Sequence, residues 1–237
     1  MSKEKIIVAL DVDNADSAAE LVRKLRDEVG AFKVGLELFN SAGPSIFEKL
    51  KDAGVERIFY DAKIHDIPNT VAGAVRAAAK NGLWMLNLHA SGGSGMMKAA
   101  VLAAKERAGE AGFDPPKMIA VTVLTSIDER ALNVELGVTE PMNCQVVRLA
   151  RLAQEAGLDG VVASPKEIGL LRIACGNDFL IVTPGVRPAS AVLDDQKRVM
   201  TPAEAVKAGV DYIVIGRPII KAQDPVSAAR AIVAEIS

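Results

Sequence analysis

The sequence is poor in the side chains that most often carry redox or metal chemistry. Its two cysteines, Cys144 and Cys175, form no C-x-x-C pair and lie in apolar, helix-like stretches. That usage suits a reducing compartment and inert core thiols. The two histidines, His65 and His89, show no metal-ligand spacing. Neither charge sign dominates: 28 Lys and Arg face 30 Asp and Glu, a formal net charge of −2. This argues against non-specific nucleic-acid binding, so an anionic ligand must be held by a local cluster of cations and backbone N–H groups. The charged start, Met1 to Lys5, leads into an apolar stretch that ends at Asp11, too short for a signal peptide or a membrane span. A cytoplasmic protein without membrane contact is expected. There is no glycine-rich dinucleotide fingerprint, no P-loop and no low-complexity tract.

What is present is alternation. Half of the 237 residues are apolar, and eight short β-like runs alternate with amphipathic helical stretches. The runs cover Ile6 to Leu10, Phe32 to Leu36, Arg57 to Lys63, Met85 to Ala90, Met118 to Leu124, Gly160 to Ala163, Phe179 to Pro184 and Tyr212 to Arg217. Ser17-Ala18-Ala19-Glu20 fits a capping box, Gly30 is read as stopping the first helix, and Gly54, Gly82, Gly112, Gly157, Gly176 and Gly209 each follow a helical stretch. Strict β-then-α order means a parallel sheet, and eight units close into a (β/α)8 TIM barrel, here a single domain over residues 1–237. An open Rossmann-like sheet would want a glycine-rich turn after the first strand, where the chain instead reads Ala9-Leu10-Asp11-Val12-Asp13. Active sites of such barrels use the C-terminal ends of strands and the loops that follow.

The third strand ends Tyr60-Asp61-Ala62-Lys63-Ile64-His65-Asp66-Ile67-Pro68-Asn69-Thr70. Side chains alternate along a strand, so Asp61 and Lys63 point one way and Tyr60 and Ala62 the other. Pro68 fits the first turn of the next helix. A buried ion pair and a helix cap would explain one such set of charges. Lys33 inside the second strand and Asp11 at the end of the first add to it, and burying this many charges for stability alone is a poor bargain, because desolvation cancels the Coulomb gain.

The run Asp61-Ala62-Lys63-Ile64-His65-Asp66-Ile67-Pro68-Asn69-Thr70 resembles the D-x-K-x-x-D-I-P-N-T signature of the orotidylate decarboxylase family. The likeness extends along essentially the whole chain. Leu10-Asp11 resembles the ribose-binding end of the first strand, and Lys33 the second-strand lysine. Val121 to Ser126, with Thr125 and Ser126, resembles the pyrimidine-contacting fifth strand. Thr183-Pro184-Gly185-Val186-Arg187-Pro188 matches the seventh-strand end, Gln196 the mobile-loop glutamine, and Ile215-Gly216-Arg217-Pro218-Ile219 the phosphate site.

The resemblance implies decarboxylation of orotidine 5'-monophosphate to UMP with no metal and no cofactor. Loss of carbon dioxide from C6 leaves a carbanion in the ring plane that the pyrimidine π-system cannot delocalise. Preorganised charge must serve instead, with Lys63 stabilising the carbanion and then protonating it. Asp61 is implied beside the departing carboxylate, and Lys33, Asp61, Lys63 and Asp66 form an array of alternating sign. The resemblance further implies a homodimer with shared sites, in which Asp66, Ile67 and Thr70 reach the neighbouring subunit's site. Phosphates commonly bind after strands seven and eight of a barrel, where Gly185-Val186-Arg187 and Gly216-Arg217 stand. The polar stretch from Val186 to Arg198 reads as a lid.

Other residues read as packing. His89 suits a structurally hydrogen-bonded role, Met96, Met97 and Trp84 suit the core, and Ser91 to Gly95 suit a tight βα turn. Two rivals share parts of this pattern. Metal-dependent 3-keto-L-gulonate 6-phosphate decarboxylases and hexulose-phosphate synthases typically carry a second-strand glutamate where this chain has Lys33, and they lack the Ile67-Pro68-Asn69-Thr70 continuation. A non-catalytic nucleotide-phosphate binder would not need Lys33, Asp61, Lys63 and Asp66 together.

Overall fold

In the computed structural model, which describes residues 2–187 and 200–237, eight parallel strands pair in chain order and β8 closes on β1. The strands are β1 (Ile6–Ala9), β2 (Ala31–Val34), β3 (Ile58–Ile64), β4 (Met85–His89), β5 (Lys117–Val121), β6 (Gly160–Val162), β7 (Leu180–Pro184) and β8 (Tyr212–Ile215). All eight expected runs are strands, most of them shorter at the C-terminal end. Their length and Val/Ile content follow from burial on both faces: every residue of β1 and β2 is buried.

Helices cover the outside. They are α1 (Ala15–Leu25), α2 (Leu36–Ala42), α3 (Ser45–Asp52), α4 (Pro68–Ala79), α5 (Gly93–Ala111), α6 (Met142–Glu155), α7 (Ile168–Cys175), α8 (Pro202–Lys207), α9 (Arg217–Ile220) and α10 (Pro225–Glu235). In α1 the buried residues Ala18, Ala19, Val22 and Leu25 recur at helical spacing and face the sheet. Truncating fully buried Leu25 to alanine is worth roughly 2–5 kcal/mol of stability. Among the described residues no helix is long and apolar enough to cross a membrane.

Three local expectations are corrected. The cap of α1 is Asn14, whose side chain accepts from the Ser17 N–H at 2.8 Å, so Ser17 and Glu20 lie within the helix rather than forming its capping box. Gly30 does not stop α1, which ends at Leu25; a β-carbon on Gly30 would sit 2.5 Å from the backbone oxygen of Glu4, and this close approach of the Glu4 backbone demands glycine. Cys144 is exposed, so it is no core thiol, whereas half-buried Cys175 packs against the core, and burial pushes it above its usual pKa.

Two apolar layers result. Between sheet and helices lies the larger one, which includes Tyr60 and Ala62. Tyr60 packs on the rings of Phe39 and Phe47, and burial raises its pKa to about 12. Inside the barrel, Ile7, Ala31, Phe59, Met85, Ile119 and Val182 fill the lower layers, with Trp84 edge-on to Tyr212 at 5.0 Å. The interior is thus packed, and the charged groups Lys33, Asp61 and Lys63 gather towards its C-terminal end.

Candidate active site

That end opens into a cavity of about 290 Å³. Asp11, Lys33, Asp61 and Lys63 line one side of it, and Pro184, Arg187, Gly216 and Arg217 line another, with Thr125 on the β5 loop. The first group comes from the ends of β1, β2 and β3, which lie side by side, and the register pairs Ala9 with Lys33. Inward-facing positions of neighbouring strands therefore deliver the charges to one level.

The charges form a chain of alternating sign. Lys33 Nζ lies 3.3 Å from Asp11 Oδ1 and 3.3 Å from Asp61 Oδ2, while Lys63 Nζ lies 2.7 Å from Asp61 Oδ1. Lys33 is 9% exposed, and the Asp61 side chain 13%. Burial pushes the Asp61 carboxyl up, but the Lys33 and Lys63 ammoniums and the hydrogen bonds from Lys63 and Asn87 outweigh it and hold the group below the ordinary aspartate value. Space for this arrangement comes from two glycines. A β-carbon on Gly35 would lie 2.9 Å from Lys33 Nζ, and one on Gly216 would lie 3.0 Å from Asp11 Oδ2.

Lys63 is held in an unusual way. Its φ is +49°, the one positive φ of a non-glycine residue among the described residues. The β3–β4 register shifts between Tyr60 and Ile64 at the same place. A left-handed conformation is unfavourable for an L-residue by roughly 1–2 kcal/mol and persists where its surroundings enforce it. Here the Lys63 N–H donates to Asn87 Oδ1 at 2.7 Å, and Asn87 Nδ2 donates to Asp61 Oδ1 at 2.6 Å. The sequence reading overlooked Asn87. Its signal was a polar residue between Leu86 and Leu88 in the apolar part of β4.

The phosphate-side residues also converge. Gly185 has φ +79°, and Arg187 is buried, its N–H donating to the Met200 carbonyl at 3.1 Å. Arg217 follows Gly216 directly at the start of α9. Thr125 lines the cavity, whereas Ser126 is exposed and does not. Asp66, Ile67 and Thr70 are exposed and outside the cavity of their own chain, with Ile67 66% exposed and Asp66 Oδ1 accepting from the Ile67 N–H at 2.6 Å. Within one chain the alternating array therefore runs from Asp11 through Lys33 and Asp61 to Lys63, with Asp66 outside that chain's cavity. Gln196 and most of the expected lid lie outside the described residues.

His89 is half-buried at the end of β4, its ring 5.6 Å from that of His65. Burial lowers its pKa, aided by His65 and Lys63 against the pull of Asp61. Met96 and Met97 are core residues, as expected.

Comparison with known proteins agrees with this geometry. Residues 4–232 match the family model described as "Orotidine 5'-phosphate decarboxylase / HUMPS family". The chain is 56% identical over 235 residues to the orotidine 5'-phosphate decarboxylase of Moorella thermoacetica, covering 99% of this chain and 93% of that protein. It is equally 56% identical to the protein of that name from Trichlorobacter lovleyi, with 99% and 96% covered. A crystal structure of orotidine 5'-phosphate decarboxylase from Lactobacillus acidophilus superimposes with a TM-score of 0.86 at 43% identity, covering 98% of each chain.

Proposed function

Because the chain belongs to the orotidine 5'-phosphate decarboxylase / HUMPS family, we propose that it decarboxylates orotidine 5'-monophosphate to uridine 5'-monophosphate in pyrimidine biosynthesis, in the cytoplasm and without a cofactor. The observation that carries this reading is the position of the Lys63 ammonium, at the cavity end of the Asp11–Lys33–Asp61–Lys63 chain. When the C6–carboxylate bond breaks, its electron pair stays on C6 and carbon dioxide leaves. Lys63 offsets the developing charge, transfers one Nζ proton to C6, and is reprotonated from water.

The neighbours serve this step by position. Asp61 and Lys33 hold the ammonium in a fixed, charge-balanced setting that need not reorganise as charge develops. Asp11 is assigned to the ribose and Thr125 to the pyrimidine. Arg217, Gly216 and Arg187 are assigned to the phosphate dianion, where backbone N–H groups beside glycine and guanidinium donors suit an anion. Lys33 also separates this reading from the metal-dependent one, since an ammonium occupies the level where those enzymes place a carboxylate ligand.

The reading includes a homodimer. Asp66, Ile67 and Thr70 are exposed next to the signature strand, and an exposed isoleucine beside an acid, with a hydroxyl three residues on, suits a partner's site. The test of the reaction is the ultraviolet change of orotidylate turnover, followed with and without a chelator. Turnover that is equal in both supports the proposal. Absence of turnover, or its loss with the chelator, overturns it.

A further inference from the structure

Asn87 is fully buried inside the barrel, on β4 beside the bulged end of β3. Both ends of its amide are engaged, and the orientation is unambiguous: only the oxygen can accept from the Lys63 N–H, and only the nitrogen can donate to a carboxylate. Where the register shifts, the Lys63 N–H is served by this side chain rather than by the backbone of β4. One side chain thus joins the backbone of Lys63 to the very oxygen, Asp61 Oδ1, that holds the Lys63 ammonium.

We propose that Asn87 is a positioning residue for the decarboxylation, a clamp that fixes the left-handed backbone of Lys63 and the Asp61 carboxylate together. This rests on the reaction proposed above. Without the clamp, β3 can relax towards a regular strand. The ammonium then leaves its place in the ion chain, though the cavity walls on β7 and β8 that hold the phosphate stay as they are.

The charges facing Asp61 give the clamp a pH signature. Lys33 approaches from β2 and Lys63 from β3 itself, His89 lies further along β4, and Asp11 stands behind Lys33. Asn87 is the neutral donor of the set. Removing it leaves the carboxylate less stabilised, so the acid limb of the activity profile moves to higher pH.

The experiment compares the wild-type enzyme with Asn87→Leu and Asn87→Asp, which keep the branched shape of the side chain. Orotidylate turnover, its pH dependence and UMP affinity are measured for each folded protein. Asn87→Leu is expected to lower kcat on the order of 10²-fold, leave UMP affinity within about threefold, since the phosphate grip is distant, and raise the acid limb. Asn87→Asp retains the acceptor but sets a second carboxylate against Asp61. It should recover activity relative to wild type as pH falls, when a proton shared by the two acids restores the donor. Wild-type kcat and pH profile in the folded variants, or a loss of UMP affinity equal to the loss of kcat, would overturn the proposal. Should neither variant fold, amide exchange in the wild-type enzyme decides: a protected Lys63 N–H supports the clamp, and a freely exchanging one rejects it. Wild-type inactivity on orotidylate would instead reject the reaction itself, and the same exchange measurement still judges the clamp.

Discussion

The α-carbon of Gly35 faces Lys33 so closely that a β-carbon there would lie 2.9 Å from the ammonium nitrogen. Gly35 has φ −94° and ψ −175°, a backbone conformation open to any residue. The only atom in the way is the tip of a flexible side chain. Gly35→Ala is therefore expected to fold with a nearly unchanged melting temperature, while displacing Lys33 from between Asp11 and Asp61. A displacement of that size lowers kcat/KM on the order of 10²-fold. Steady-state kinetics beside a thermal melt check this; a large loss of stability with kinetics intact would contradict it.

Asp61 links the site to acid stability. Its folded pKa lies below the ordinary value of 3.8 because, against desolvation, the two lysines and two hydrogen bonds favour its charged form. A depressed folded pKa adds stability above the unfolded value, and that contribution is lost as pH falls from there through the folded value. Asp61→Asn should thus be less stable than wild type in urea near neutral pH, with Lys33 and Lys63 left without their shared counter-charge. The difference should shrink as pH drops below 3.8. A difference independent of pH would show that the ion chain contributes nothing to folding.

Arg217→Ala tests the phosphate grip. A guanidinium at the start of α9, at the cavity edge, can help only a substrate that carries the dianion. The substitution is expected to reduce kcat/KM for orotidylate by at least about tenfold, the effect of one charge-assisted contact of 1.5–3 kcal/mol, and to leave the phosphate-free nucleoside nearly unaffected. Equal losses on both substrates would assign Arg217 to the fold.

The sequence made the barrel and most of the cavity legible for a physical reason. Parallel strands buried on both faces are forced into short apolar runs, and any charge in such a run, as at Lys33, Asp61 or Lys63, stands out. Asn87 was lost because a lone neutral polar residue carries little signal until its partners are known, and those partners depend on the register shift in β3. Gly35 escaped for a similar reason: its role is the absence of a β-carbon facing a side chain from its own strand end. The cap at Asn14 was misplaced because Ser17 and Glu20 repeat the same chemistry one turn later. Asp66 stands outside its own chain's cavity because the chain leaves the strand after Ile64 and carries it outward, so its place in the array rests on the resemblance and on a second copy of the chain.

The exposed position of Asp66 leads to the last prediction. Asp66 lies outside the cavity of its own chain, while Lys63 lies inside it. If a second copy completes each site, Asp66→Asn and Lys63→Ala each inactivate a homodimer by damaging different contributors to the same composite sites. In a mixed dimer with one variant chain of each kind, one site combines the Lys63→Ala cavity with the Asp66→Asn contributor, and the other combines two intact parts. Mixing the two inactive proteins under conditions that exchange subunits should therefore restore turnover, approaching one working site per mixed dimer when the sites act independently. Differently tagged chains allow the mixed species to be isolated and its activity measured per dimer. Mixed dimers as inactive as either parent would mean that Asp66 serves its own chain's cavity after a rearrangement of the segment between Ile64 and Pro68, and the shared-site part of the proposed function would fall.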